Sequence, residues 1–492
     1  MASGIQRTDR GWVLGNAVKG VAIDSRMIRP GYVFVAIPGA TVDGHQFIDD
    51  AIQRGAVAVV GERTNLSLPV PYFAVPSSRE AAAELSAAFY RFPSRELTTV
   101  GVTGTNGKTS VVYWITALIR ASGHSCGMIS SVINETGDGR EESLLTTPES
   151  PDLQRQLREM VSHGMTHAVI EISSHGIAQH RVDHVELDVA VLTNITREHL
   201  DFHGTMENYV ATKSLLFERL GPSAVGAVIN ADDYYSRQVL SRIRSATFTY
   251  GLENGELRGR ILTSTPWSSE VELNHPDFSF VAEFNHPGVY NVYNLLAAVS
   301  TAYHLGIAPE VIRRAIPRLP KVPGRMQILK AAKRPTVIID YAHTPDGLMQ
   351  SLKTVRMMTN GAVWLVFGAR GGRDRGKRPE MGQIAAALAD HVILTTDSPN
   401  DEDPGEIADA IAKGIRMVDG SKLRGIELSR EKAIQWAISE AAEDDCVLVT
   451  GRGPEGYQNF HGKRVALSDA EVAQNMLRDT LYPEGVDGVG IH

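Results

Sequence analysis

The stretch Leu97-Thr-Thr-Val-Gly-Val-Thr-Gly-Thr-Asn-Gly-Lys-Thr-Ser110 decides the fold. Its β-branched run, Thr98 to Val102, predicts a buried strand. Gly104-Thr-Asn-Gly107 predicts a turn, and Val111, Val112, Ile115, Leu118 and Ile119 then recur on one helix face. Strand, glycine turn, Lys108-Thr109 and helix make a site for a nucleoside triphosphate. Glycines let successive backbone N–H groups turn inward on the phosphates, and the helix N-terminus adds positive potential. Lys108 would reach a terminal phosphate and the Thr109 hydroxyl a Mg²⁺ ion. Gly104, Thr105, Asn106, Gly107, Lys108, Thr109 and Ser110 are therefore the expected contacts to the nucleotide. The loop is shorter than the common phosphate loop, with only Thr105 and Asn106 between Gly104 and Gly107. An ordinary glycine turn before a helix is the competing reading. A strand directly before and Lys-Thr directly after favour the nucleotide.

Working outward, the chain of 492 residues has length for three domains. A net charge of −8 argues against nucleic acid or an anionic membrane as main partner. Cys126 and Cys446 stand far apart without CxxC spacing, so neither a disulfide framework nor a zinc site is expected. The start from Met1 to Arg10 is polar and lacks the apolar core of a secretion signal. No apolar run approaches the length of a membrane span. A cytoplasmic monomer acting on small molecules is expected.

Upstream, Gly20 to Arg26, Pro30 to Gly39 and Ala56 to Val60 read as short strands with turns. Helical stretches from Phe47 to Arg54 and around Ala81 to Tyr90 alternate with them, giving a small α/β unit over residues 1–96. Asp24-Ser25-Arg26 follows a strand and offers a hydroxyl and a guanidinium to a ligand; simple turn chemistry explains it equally.

Downstream, residues 97–322 form a second unit. Ala168 to Glu171 is a strand ending in an acid, the usual position for a magnesium contact beside a phosphate loop. Val189 to Leu192 runs into the polar loop Thr193-Asn-Ile-Thr-Arg-Glu-His199. A helix cap or surface pair, for the carboxylate, and a hydrogen-bonded structural role, for the histidine, stand beside ligation as readings. Asn291-Val-Tyr-Asn294 precedes an apolar helix, Leu295 to Leu305, where an asparagine either reads adenine or caps the helix.

Over residues 323–492 the pattern restarts. Thr336 to Ile339, Val363 to Phe367, Val392 to Thr395 and Cys446 to Val449 are each followed by a polar or glycine-rich loop and a helix. That order implies a mostly parallel open sheet with functional loops at the carboxyl ends of its strands. None of the loops has GxGxxG spacing, so a dinucleotide site is not supported. Ordinary turn chemistry competes with a binding face here.

Together, Gly104 to Thr109, Glu171-Ile-Ser-Ser-His-Gly176, Asn194 to Gly204 and Asp340-Tyr-Ala-His-Thr-Pro345 resemble the Mur ligase family. Asp24 to His45 and Gly371-Gly-Arg-Asp-Arg-Gly-Lys-Arg-Pro379 are similar to its branch that adds the third amino acid of the peptidoglycan stem. The resemblance spans nearly the whole chain in order. It implies an N-terminal domain for the uridine nucleotide, a central ATPase and a C-terminal Rossmann-like domain that closes with the amino acid. In the implied reaction ATP phosphorylates the D-Glu carboxylate of UDP-MurNAc-L-Ala-D-Glu, and the incoming amine attacks the acyl phosphate.

By the same resemblance Lys108, Lys213 and His199 carry catalysis. Thr109, Glu171, His199 and Lys213, the last as a carbamate, hold magnesium; by itself Lys213 would read as a solvated helix lysine. Asn294, Arg325 and Asp340 lie around ATP. Ile23, Ser25, Thr146, Thr147, Ser173, Gln179 and Arg181 contact the muramyl-peptide nucleotide. Arg373, Asp397, Ser398, Asn400, Gly451 and Glu455 face the amino acid.

Two loops depart from the family pattern. Asp397-Ser-Pro-Asn400 stands where Asp-Asn-Pro-Arg is frequent for meso-diaminopimelate, and Pro454 stands where histidine often precedes the glutamate. Asn400 lacks the guanidinium that would grip a distal carboxylate, and Asp401-Glu-Asp403 would attract an ammonium, unless these acids simply favour the positive N-terminus of the helix expected over Gly405 to Lys413. L-Lysine or L-ornithine is therefore expected over meso-diaminopimelate. A polyglutamate ligase shares the ATPase core but does not need the Asp24 to His45 start. A nucleotide switch would want a guanine-reading Asn-Lys-x-Asp, which the sequence lacks.

Overall fold

The computed structural model describes residues 5–478, apart from residues 9–10, 40–41, 65, 138, 222 and 266. Part of the Met1–Arg10 start thus lies outside the described residues.

A four-stranded parallel sheet comes first, in the order Gly20–Ala22, Tyr32–Val35, Ala58–Gly61 and Tyr72–Ala74. Ser77 accepts from Glu80 N and starts the alanine-rich helix Ser78–Phe89. Ala81, Ala82 and Leu85 of that helix bury Val33, Val35 and Val60 of the sheet.

Among the described residues the central sheet has eleven strands, and Thr98–Thr103 pairs in parallel with His167–Glu171 on one side and Val189–Leu192 on the other. Both faces of Thr98–Thr103 are covered, which is why it reads as a run of β-branched residues rather than an alternation. Val100 and Val102 enter a core shared with the helices Lys108–Ala121 and Val289–His304. On the opposite face a Cβ at Gly101 would stand 2.7 Å from Leu187 Cδ1, so that neighbour packs directly on the backbone. Beyond the parallel part, Leu257–Ser264, Ser269–His275 and Phe278–Phe284 extend the sheet as an antiparallel meander, an element the sequence reading leaves unassigned. Asn291 and Asn294 lie inside the helix Val289–His304 and do not cap it; Gly288 precedes its first turn.

The third sheet orders Gln327–Leu329, Thr336–Asp340, Cys446–Thr450, Val363–Phe367, His391–Leu394 and Leu423–Ile426. All pairs are parallel except the first. The helix Pro404–Asp419 is longer than expected and is capped by Asp403, which accepts from Glu406 N. In a parallel sheet every strand's carboxyl end opens on one edge. The edges of the central and third sheets face each other, bridged by Arg325 to Thr109, Asn106 to Asp346 and His343 to Glu198.

Candidate active site

Between those edges lies a cavity of about 1190 Å³. That exceeds the roughly 300–1,000 Å³ of a single small-ligand pocket and fits more than one substrate.

Gly107, at φ +85°, turns the phosphate loop into its helix, and a Cβ there would strike Asn294 Oδ1 at 2.1 Å. Both the backbone and the asparagine behind it therefore demand glycine. Asn106 N donates to Asn194 Oδ1 at 3.0 Å, and its amide reaches Asp346 of the third sheet's unit at 3.0 Å. Lys108 Nζ donates to Gly104 O and Thr105 O at 3.1 and 2.8 Å. Burial lowers its pKa, opposed by the carboxylates of Glu171 and Glu198.

Thr109 Oγ1 donates to Glu171 Oε1 at 3.2 Å, lies 3.0 Å from Ser131 Oγ and accepts from Arg325 Nη2 at 2.9 Å. Adjacent ligands of an octahedral Mg²⁺ at about 2.1 Å stand about 3 Å apart. Thr109 Oγ1 stands at that spacing from Ser131 Oγ and from Glu171 Oε1, and all three are the hard donors this ion takes. The set fits magnesium.

Lys213 is fully buried behind the loop, with Nζ donating to Gly104 O at 2.8 Å and standing over the Tyr209 ring. Burial first, then the charge of Lys108, holds its amine well below the usual lysine range. His199, at φ +56°, lies on the cavity wall with Nε2 3.4 Å from Glu198 Oε2. Burial pushes its imidazole down to about 3, against the pull of Glu198.

Glu198 was passed over in the sequence. It is buried, it accepts from His343 Nε2 at 2.7 Å, and it joins the two sheet edges. Burial opposes its ionisation, yet His199, His343 and Lys108 outweigh burial and keep it ionised well below the usual range. Its signal was present in Thr196-Arg-Glu-His199, where only the histidine was read as a ligand.

Asp340 accepts from Met326 N, Ala342 N and Ser351 Oγ at 2.7 to 3.0 Å. It thereby clamps the turn Gly324-Arg325-Met326, where Gly324 and Met326 have positive φ. Arg325, so held, lies over the Tyr341 ring and reaches Thr109.

Thr146, Thr147, Ser173, Gln179 and Arg181 line the cavity. Arg181 donates to Thr147 O at 2.9 Å and to Gln179 Oε1 at 2.6 Å, and pairs with Glu149. Ile23 and Ser25 do not line it. Asp24 caps the turn Ser25–Met27 and pairs with the exposed Arg26, which is the turn chemistry allowed for.

Asp397, Gly451 and Glu455 line the opposite wall, and Arg373 faces Asp201 across the cleft at 3.7 Å. Ser398 and Asn400 do not line it. Ser398 Oγ accepts from Arg452 and Asn459 N. Asn400 turns its amide onto Gly371 O at 2.7 Å. The acidic run behaves likewise: Glu402 pairs with Arg375 and Arg378, and Asp403 caps its helix. Neither feature offers its charge to the cavity. Arg370, by contrast, is on the wall and received no role from the sequence.

Residues 102–302 match the family model of the Mur ligase middle domain, residues 324–453 the Mur ligase glutamate ligase domain, and residues 17–90 the Mur ligase family catalytic domain. The UDP-N-acetylmuramoyl-L-alanyl-D-glutamate–2,6-diaminopimelate ligase of Geobacillus thermodenitrificans is 40% identical over 463 residues, 93% of this chain and 94% of its own. The chain belongs to the Mur ligase family. It is an ATP-dependent ligase that forms C–N bonds. The like-named ligase of Solibacter usitatus is 39% identical over 468 residues, 94% of each chain. A solved 2,6-diaminopimelate ligase structure superposes with a TM-score of 0.64 at 31% identity, covering 95% of this Mur ligase and 96% of that chain. The MurF ligase of Thermotoga maritima in complex with ADP shares the fold at 22% identity, with a TM-score of 0.67 over 94% of this chain and 98% of its own.

Proposed function

We propose that this Mur ligase joins 2,6-diaminopimelate to the D-Glu carboxylate of UDP-N-acetylmuramoyl-L-alanyl-D-glutamate in peptidoglycan synthesis. The observation that carries it is one cavity with a triphosphate loop on one wall and an Arg-Asp-Glu cluster on the other. The names of the similar ligases support the choice of amino acid. L-Lysine and L-ornithine were favoured on Asn400 and the acidic run, and both are engaged within their own loops.

The γ-phosphoryl of ATP passes to the D-Glu carboxylate, releasing ADP. The acceptor amine then attacks the acyl carbon, the C–N bond forms, and the C–O bond to phosphate breaks. Lys108 and the loop amides hold the phosphate charge, where fixed donors in a dry site act most strongly. Thr109, Glu171 and Ser131 would hold Mg²⁺, which would supply further neutralisation of that charge. Asn294, Arg325 and Asp340 shape the ATP end. Thr146, Thr147, Ser173, Gln179 and Arg181 hold the muramyl peptide, with Ile23 and Ser25 on its uridine. Residues 1–96, 97–322 and 323–492 divide the uridine, ATP and amino-acid ends among them. Burial favours the uncharged amine of Lys213, the form that adds CO₂, and a carbamate there would join His199 as a magnesium ligand.

The test is a competition. Equal amounts of meso-diaminopimelate, L-lysine and L-ornithine are offered with Mg-ATP and the UDP-dipeptide, and the products are separated by mass. A dominant diaminopimelate product is expected; a dominant lysine or ornithine product would overturn the choice.

A further inference from the structure

At one end of the antiparallel meander, ionisable side chains converge from three elements. Glu256 sits in the turn before the strand Leu257–Ser264, where its N–H donates to Thr249 O at 2.9 Å. His275 ends the strand Ser269–His275, and His304 ends the helix Val289–His304. One donor atom from each lies within 4.8 Å of the other two. None of the three lines the active-site cavity.

Both rings are held by their neighbours. His275 stacks on Phe278 and His304 on Phe248, at interplanar angles of 16° and 15°. The His275 side chain is 4% exposed, and its Nε2 is buried without a hydrogen-bond partner among the described residues. Aromatic packing explains the stacking and leaves that nitrogen unpaired, which marks a place where a partner belongs. Glu256 Oε1 stands 3.5 Å from it. Ligands of a tetrahedral zinc ion, bound at about 2.0–2.1 Å, stand about 3.3 Å from one another, so this pair is near the spacing already. Two carboxylates, Glu256 and Asp277, face His275, and the carbonyl end of the helix adds negative potential beside His304. The local field favours a cation. Two imidazoles and one carboxylate select a transition ion over Mg²⁺ or Ca²⁺, which take oxygen.

We infer that Glu256, His275 and His304 form a site for a divalent transition ion, Zn²⁺ before others, that clips the meander to the end of the helix Val289–His304. His275 gives Nε2 to the ion and carries its proton on Nδ1. The Asp277 N–H, which donates to Nδ1 at 3.2 Å, then gives way to the Asp277 carboxylate, whose Oδ2 is 3.6 Å from that nitrogen. A carboxylate behind the ring is the usual orienter of a ligating histidine. Water takes the fourth position. The clip is structural: Asn294 of the ATP end lies on the same helix, roughly 15 Å along it at 1.5 Å per residue.

The test is equilibrium dialysis of the untagged full-length chain, stripped with a chelator, against buffered free Zn²⁺. Excess Mg²⁺ and ADP are present to occupy the phosphate loop, and Glu256→Gln and His304→Gln are run beside the wild type. The wild type should hold one zinc per chain that each variant binds at least roughly 10–100-fold more weakly, the loss seen when even a ligand's supporting partner is removed. Bound zinc should raise the wild-type melting temperature and slow amide exchange in Ser269–His275 and the last turn of the helix. Ligation with Mg-ATP should be alike in all three proteins. Glu256 is exposed, so its variant tests the site even if loss of the His304 ring disturbs packing on Phe248. A wild type that binds no zinc under these conditions would overturn the inference. So would equal zinc affinity in all three proteins, or zinc protection confined to the phosphate loop.

Discussion

Lys213→Ala separates a chemical role for this lysine from a packing one. The side chain is 1% exposed, and its Nζ bonds the same carbonyl as Lys108. Truncation removes three buried methylenes at about 0.8 kcal/mol each, roughly 2–3 kcal/mol in all. Relief of the buried amine, whose protonation burial already opposes, offsets part of that. The melting temperature should therefore fall by only a few degrees, about 2 kcal/mol or less. Loss of a magnesium-binding carbamate should instead slow ligation by at least roughly 100-fold, the upper range for disturbing a metal site's supporting groups. The vacated space takes a short carboxylate, so acetate or propionate should restore part of the rate. The assay is phosphate release with UDP-dipeptide and acceptor, with and without those acids, beside a thermal melt and a Lys213→Met control. Near-parental turnover would refute any chemical role. A folded, slow variant that neither acid restores would refute the carbamate.

Lys108→Ala removes the cation at the phosphate loop and should lower kcat by roughly 10²–10³-fold with little change in melting temperature; phosphate release and circular dichroism check it. Burial first and Lys321 second push His286 down to about 4 from 6.5. The unfolded chain then gains a proton near pH 6.5 that the native state refuses until about pH 4. Its contribution to stability is intact above that window and is lost as pH falls through it, by up to about 3 kcal/mol. His286→Gln should flatten that slope relative to the parent in urea unfolding across the window. Arg430→Met strands Asp469 in a fully buried site and should destabilise by about 3–5 kcal/mol. Arg430→Met with Asp469→Leu should lose less, as measured by denaturant midpoints.

The phosphate loop was legible because its signal is local: a buried strand, two glycines and Lys-Thr within one turn of chain. Four strands of the third sheet were legible because each is an apolar run ending in a polar loop; the edge strands Gln327–Leu329 and Leu423–Ile426 are not such runs and went unread. What escaped notice lies in long-range pairing. Arg325 and Thr109 are 216 residues apart, and Glu198 and His343 are 145 apart; no spacing rule joins them. The meander Leu257–Phe284 was missed because its outer face is polar, so its strands do not read as apolar runs. A cap stood beside adenine reading for Asn294 because the helix was started after it, whereas the helix begins at Val289. The misreading of Asn400 was one of direction: the loop was found, and the backbone, at φ +54°, aims its amide at Gly371 rather than into the cavity.

The most direct test of the central claim, that ATP activates the D-Glu carboxylate for attack by an amine, is isotope transfer. The UDP-dipeptide is prepared with ¹⁸O in its free D-Glu carboxylate and incubated with Mg-ATP and meso-diaminopimelate, and both products are weighed. The expected result is a UDP-tripeptide and one ¹⁸O in each phosphate released, with phosphate release dependent on both the dipeptide and the amino acid. Unlabelled phosphate, or phosphate released at the full rate with no amino acid present, would contradict it.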